Sequence, residues 1–178
     1  MDHAGEILIL TGPPGSGKTT AATLLALMAG TPKVHLHADD FWHVIRNGAI
    51  APYLDEAHVQ NGIVMEIIAK AAAGYASGRY FVVVDGIIGP WFLKPFKGLG
   101  CAVHYVILRP PLEQAIVRCR DRGGEELSDP VVITNLYHQL FSPSTHDAHI
   151  LECGDEAPDI VVQHIIAALE SGAYLLRR

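Results

Sequence analysis

Gly12-Pro13-Pro14-Gly15-Ser16-Gly17-Lys18-Thr19 meets the pattern G-x-x-x-x-G-K-[ST] at every fixed position, and the apolar run Ile7-Leu8-Ile9-Leu10 leads into it. The rest of the chain is read outward from this stretch. A short strand ends at Thr11, the glycines at 12, 15 and 17 permit backbone angles that a side chain forbids, and helix-forming residues begin near Gly17. Several backbone N–H groups then point at one place, joined by the positive end of the helix dipole and the Lys18 ammonium. Such a cradle fits the β- and γ-phosphates of a nucleotide. Gly12, Pro13, Pro14, Gly15, Ser16, Gly17, Lys18, Thr19 and Thr20 are the expected nucleotide contacts, the Thr19 hydroxyl is an expected Mg²⁺ ligand, and a nucleoside triphosphate with Mg²⁺, ATP or GTP, is the expected pair.

The 178 residues suit one domain, 1–178, and 49% hydrophobic content is ample for one core. With a net charge of −6 and no basic cluster outside 118–122, no broad nucleic-acid footprint is expected. No apolar stretch reaches the ~20 residues of a membrane span, and the N-terminus carries Asp2 and Glu6 rather than a basic leader. The expectation is a soluble cytoplasmic protein, monomer or homodimer, with a small-molecule partner. Cys101, Cys119 and Cys153 are far apart, form no C-x-x-C pair, and read as buried small hydrophobes. The histidines show no metal-ligand spacing.

Apolar runs at 7–10, 34–36, 81–84, 102–108 and 149–151 alternate with helical patterns, which predicts an α/β fold: a five-stranded parallel sheet with helices on both faces. The helix after the phosphate loop, 17–29, is expected to show almost no exposed face. The second strand delivers Asp39 and Asp40 at its carboxyl end, where open parallel sheets bind ligands. Either acid could serve chemistry or cap a helix over 41–46. Phe41 and Trp42 suit an acceptor-pocket wall or ordinary core, and Arg46 suits an anionic group. Phe81-Val82-Val83-Val84-Asp85 puts another carboxylate at a strand end, for Mg²⁺, for the acceptor, or for a turn. Trp91, in the loop that follows, either closes the pocket or covers the sheet. Arg118 and Arg122 share a helix face at i, i+4 and could reach phosphates together, or form a solvated basic face. Gly123-Gly124 follows, the kind of joint a closing lid uses. An acceptor segment over 40–62 and a lid over 118–130 are therefore expected.

Taken together, these residues resemble the small P-loop kinases, a group that holds nucleoside monophosphate, shikimate and gluconate kinases, chloramphenicol phosphotransferase and zeta toxins. Residues 12–19 look like their Walker A loop, Asp39 is similar in place to the base of chloramphenicol phosphotransferase and zeta toxins, and Arg118 and Arg122 look like lid arginines. The stretch 37–96 further resembles a bacterial subfamily labelled AAA-type ATP-binding proteins. The resemblance implies a three-layer P-loop fold with strand order 2-3-1-4-5. It also implies transfer of the ATP γ-phosphoryl group to a hydroxyl, with Lys18, Asp39, Arg118 and Arg122 catalytic and Asp39, Phe41, Trp42, Arg46, Asp85 and Trp91 around the acceptor. The glycine triplet and the arginine after strand 2 of shikimate kinases are missing, and Arg46 is the one candidate for a monophosphate-binding arginine. Paired Walker B acids and an added helical domain are absent too, so no motor function is implied. A nucleoside monophosphate kinase and a nucleotide-controlled binding module are the alternatives.

Overall fold

A computed structural model describes residues 2–122, 129–142 and 146–176. Five strands, β1 (Ile7–Thr11), β2 (Lys33–His37), β3 (Phe81–Asp85), β4 (Val103–Arg109) and β5 (Ile150–Glu152), form one sheet in the order β2-β3-β1-β4-β5. Every pair of neighbours is parallel. The crossovers run through α1 (Lys18–Leu27), α2 (Ala38–His43), α3 (His58–Ser77), α4 (Lys94–Lys97), α5 (Leu112–Arg122) and α6 (Pro130–Leu140), and α7 (Pro158–Ser171) follows β5.

Because strand side chains alternate between faces, each central strand feeds two cores. Ile7, Ile9, Val82, Val84, Tyr105 and Ile107 pack with Val64, Met65, Ile68 and Ala72 of α3. Leu8, Leu10, Val83, Val106 and Leu108 point the other way, onto Ala21, Ala22 and Leu25 of α1 and Val162, Ile165 and Leu169 of α7. Each such side chain, fully withdrawn from water, contributes about 1.5–3 kcal/mol. The edge strand β2 obeys the same alternation: Val34 and Leu36 join the α3 core, which leaves His35 and His37 on the face where α1 begins.

Three expectations are corrected. The helix after the phosphate loop has an exposed side, with Thr20, Thr23, Leu24 and Leu27 open to solvent, since the sheet and α7 cover only the side carrying Ala21, Ala22 and Leu25. The next helix begins at Ala38 rather than at 41 and ends at His43, so neither Asp39 nor Asp40 caps it; both lie in its first turn, and the extended N-cap residue is His37. This early start needs the close approach of Ala38 to Gly86, where an added Cβ would meet the Ala38 Cβ at 2.6 Å. Of the three cysteines, Cys119 and Cys153 are buried but Cys101 is only half-buried.

One feature was not foreseen. After α7, Tyr174–Leu176 turns back along the first half of β4, where Tyr105 N–H donates to Tyr174 O (2.9 Å) and Leu176 N–H to Val103 O (2.8 Å). β5 pairs only with Ile107–Arg109, so this segment satisfies a backbone edge that would otherwise be bare.

Candidate active site

The phosphate loop joins β1 to α1 as expected. Residues 12–16 are buried, and Gly17 is the left-handed N-cap of α1. Gly15 is required twice over: its φ is +76°, and a Cβ there would meet Ala115 O of α5 at 2.3 Å. Lys18 Nζ lies 3.5 Å from Pro13 O, folded back over its own loop. Burial pushes the Lys18 pKa down, Asp39 and Asp85 act to raise it, and Arg122 lowers it further. Charges on three different elements thus act on the one ammonium.

Asp85 ends β3 directly beside the loop and is fully buried. Its Oδ2 accepts from the Thr19 hydroxyl (2.6 Å). Its Oδ1 meets His35 Nε2 (2.6 Å) and His37 Nδ1 (3.0 Å), whose other ring nitrogen, Nε2, is 3.6 Å from Asp39 Oδ2. Burial alone would raise the Asp85 pKa, but the hydrogen bonds from His35, His37 and Thr19 outweigh it and hold the carboxyl well below its usual range. The His37 pKa is raised, chiefly by its hydrogen bond to Asp85. Asp85 is therefore neither a helix cap nor a turn residue. Thr19 and Asp85 offer hard oxygen donors side by side at the foot of the cradle, a set that fits Mg²⁺.

The segment expected to bind an acceptor is more open. Asp39, Asp40 and Arg46 are exposed. Phe41 and Trp42 are half-buried against the α3 core, and Trp42 Nε1 donates to Asn61 Oδ1 (2.9 Å) while Asn61 Nδ2 donates to Pro52 O (2.8 Å). Trp42 and Asn61 thus tie α2 and the loop after it to α3, and both aromatics keep part of their surface exposed. Trp91 is exposed and lies over Gly89. The loop after β3 is anchored beneath: Ile88 N–H donates to the Thr11 hydroxyl (2.8 Å) and the buried Tyr105 hydroxyl to Ile88 O (2.8 Å).

Where a lid was expected to begin, Arg118 donates to Gly154 O (3.1 Å), in the loop after β5, and Arg122 is exposed one turn further on. Arg120 points elsewhere, toward Asp121 (3.4 Å). Gly123, Gly124 and Ser128 fall outside the described residues; Asp129 caps α6, its side chain accepting from Val131 N–H (2.8 Å).

Sequence reasoning missed His35, His37, Thr11 and Tyr105. The histidines did carry a signal, since Val34-His35-Leu36-His37 is a period-2 strand whose polar face must meet something. A cavity of about 400 Å³ lined by Lys97, His146, His149 and Leu176 is built from none of the loop's residues. Charge and backbone geometry mark the site here, rather than cavity volume.

Comparison with known proteins agrees with this fold. Residues 8–130 match the profile of an AAA domain family. Among curated proteins, none matches the chain in sequence. Solved structures that share its fold include a sugar kinase from a Janibacter species (17% identity, TM-score 0.69, covering 93% of this chain and 94% of that one). A gluconokinase from Sinorhizobium meliloti superposes at TM-score 0.69 and 18% identity, covering 97% and 95%. The Mycobacterium tuberculosis APS kinase, solved with AMPPNP and APS, gives TM-score 0.68 and 20% identity over 94% and 98%. The matched segment spans β1 to the start of α6 and includes the phosphate loop, Asp39, Asp85 and Arg118: the chain belongs to the AAA domain family and has the fold of the small P-loop kinases.

Proposed function

We propose that the protein is an ATP-dependent phosphotransferase that moves the γ-phosphoryl group of ATP to a hydroxyl of a small molecule. The observation that carries this reading is the buried glycine-rich loop between β1 and α1, with the Thr19 hydroxyl on the Asp85 carboxylate at the end of β3 (2.6 Å). Phosphoryl transfer asks little covalent chemistry of a protein beyond positioning and charge. Residues 12–19, with Thr20, cradle the phosphates through backbone N–H groups, and Lys18 binds their charge. Mg²⁺, held by Thr19 and Asp85, would neutralise β- and γ-phosphate oxygens. Arg118 and Arg122 offset the charge that develops as the bond from the γ-phosphorus to the ADP oxygen breaks. Asp39 accepts the proton from the acceptor hydroxyl as its oxygen bonds to that phosphorus. Asp39 is exposed at a strand's carboxyl end, within reach of an acceptor from solvent. Asp40 is the neighbour that could exchange roles with it.

The names of the structural neighbours favour a small acceptor, a sugar, gluconate or APS. Phe41, Trp42 and Trp91 give the acceptor side apolar surface, and Arg46 gives it one cation for an anionic group. The test is base dependence, with the acceptor drawn from a metabolite extract. Asp39→Asn should cut turnover by about 10²–10⁴-fold while nucleotide affinity holds. If Asp39→Asn retains turnover and Arg46→Ala instead raises the acceptor KM, the acceptor is a phosphate and the enzyme a nucleoside monophosphate kinase. A nucleotide-dependent protein partner with no phosphorylated metabolite would mark a binding module.

A further inference from the structure

We propose that His35, His37 and Asp85 form a binding site for one divalent cation of the zinc class in the nucleotide-free protein. The three ligand atoms, His35 Nε2, His37 Nδ1 and an Asp85 carboxylate oxygen, lie within 4.8 Å of one another. Two come from alternate positions of β2, hence from one face of the sheet, and the third from the paired position on β3, where His37 is in register with Asp85. Backbone pairing, not side-chain flexibility, therefore sets their spacing.

The distances suit an ion. His35 Nε2 and His37 Nδ1 stand 2.6 and 3.0 Å from the same Asp85 oxygen, and tetrahedral zinc with bonds of about 2.0–2.1 Å needs edges of about 3.3 Å. Small side-chain rotations open the triangle that far. As the cation binds, each imidazole is neutral, turning the lone pair of the nitrogen now on Asp85 to the metal and keeping its one proton on the other ring nitrogen; any second proton is released to solvent. Asp85 is fully buried at the base, while the His35 and His37 side chains are 21% and 31% exposed, so an ion enters between two rings that reach solvent. Two imidazoles and one carboxylate select zinc, cobalt or ferrous iron over magnesium, which prefers oxygen ligands throughout.

The surroundings support the ligands. His37 keeps its second nitrogen toward Asp39 Oδ2, and Asp85 keeps its second oxygen on the Thr19 hydroxyl, the kind of outer partner that orients metal ligands. A second cluster, His3, Glu6 and His104, has equal spacing but lacks this. Coordination through His104 Nε2 would put a proton on His104 Nδ1, which is buried with no hydrogen-bond partner. A buried donor without an acceptor is costly, so that cluster is better kept as hydrogen bonds to Glu6. The comparison assigns the ion to β2 and β3.

The test is a Co²⁺ titration of the nucleotide-free full-length protein followed by visible absorption, with Zn²⁺ as competitor. One Co²⁺ per chain should bind, be displaced by Zn²⁺, and persist in millimolar Mg²⁺. His35→Gln and His37→Gln keep an N–H donor for Asp85 but remove a strong ligand, and each should weaken binding about tenfold or more. His3→Gln should leave it unchanged. Should a glutamine variant fail to fold, by circular dichroism, His35→Asn replaces it. Absence of stoichiometric Co²⁺ binding, binding unchanged in the glutamine variants, or loss in His3→Gln would each overturn the proposal. No nucleotide or acceptor is present, so failure here leaves the kinase reading intact, and failure of that reading leaves this result standing.

Discussion

Residues 12–16 of the phosphate loop are buried between β1, the end of β4 and α5, whereas residues 46–49 and 52–56, in the segment proposed to bind the acceptor, are exposed. The first region is made of backbone: its donors are peptide N–H groups, and its shape is set by glycine angles and by carbonyls such as Ala115 O packed against it. The second is made of side chains on a short helix and a loop, pinned at two points: by Trp42, Asn61 and Pro52, and by the Gln60 amide, which accepts from Ile50 N–H (3.1 Å) and donates to Ile50 O (2.8 Å). A phosphate is the same in every nucleotide, so a rigid backbone cradle serves it. Acceptors differ, and a surface held at few points is easily reshaped.

The largest expected effect lies on the rigid side. Lys18→Ala removes the ammonium over the loop, and charge-assisted hydrogen bonds are worth about 1.5–3 kcal/mol each. Affinity for a non-hydrolysable ATP analogue should fall at least tenfold to a hundredfold by calorimetry. Unchanged affinity would show that the loop does not hold phosphate.

A medium effect is expected where the two sides meet. In the fold the His37 pKa is raised above its usual 6.5, chiefly by the hydrogen bond to Asp85, and that of Asp85 is held well below 3.8. The raised imidazole contributes stability that is fully present below about pH 6.5 and fades as pH climbs through the folded value. The depressed carboxyl contributes stability that is present above about pH 3.8 and is lost as pH falls through its folded value. Both contributions coexist between those limits. With chelator present, wild type should therefore melt above His37→Gln by about 2–4 °C at pH 5–6, and by less at pH 8–9. A gap that widens with rising pH would contradict the assignment.

The smallest effect belongs to the open side. Trp42→Phe keeps the apolar ring but drops the N–H given to Asn61, which should cost about 1 kcal/mol. Amide exchange over 46–56 should speed up, while 7–11 and 81–85 stay protected. Equal protection of the loop and the central strands in wild type would remove the contrast between the two regions.

These same differences decided what could be read from the chain. Ile7-Leu8-Ile9-Leu10 and Phe81-Val82-Val83-Val84 are buried on both faces, so continuous apolar runs announced them, and the phosphate loop is local in sequence. Asp39 and Asp85 were singled out because open parallel sheets bind ligands beyond the carboxyl ends of their strands. The early start of α2 was hidden, because it depends on Ala38 meeting Gly86, a contact between distant residues. His35 and His37 became meaningful only through the register of β2 on β3. The return of Tyr174–Leu176 along β4 left no trace, since it is held by backbone hydrogen bonds available to any residue but proline.

The central claim is tested most directly by following the γ-phosphoryl group itself. Protein incubated with γ-labelled ATP, Mg²⁺ and a protein-free metabolite extract should move label into one small molecule, with ADP formed in equal amount, and Lys18→Ala should move none. Label recovered only as inorganic phosphate, or left on ATP whatever extract is supplied, would contradict the account.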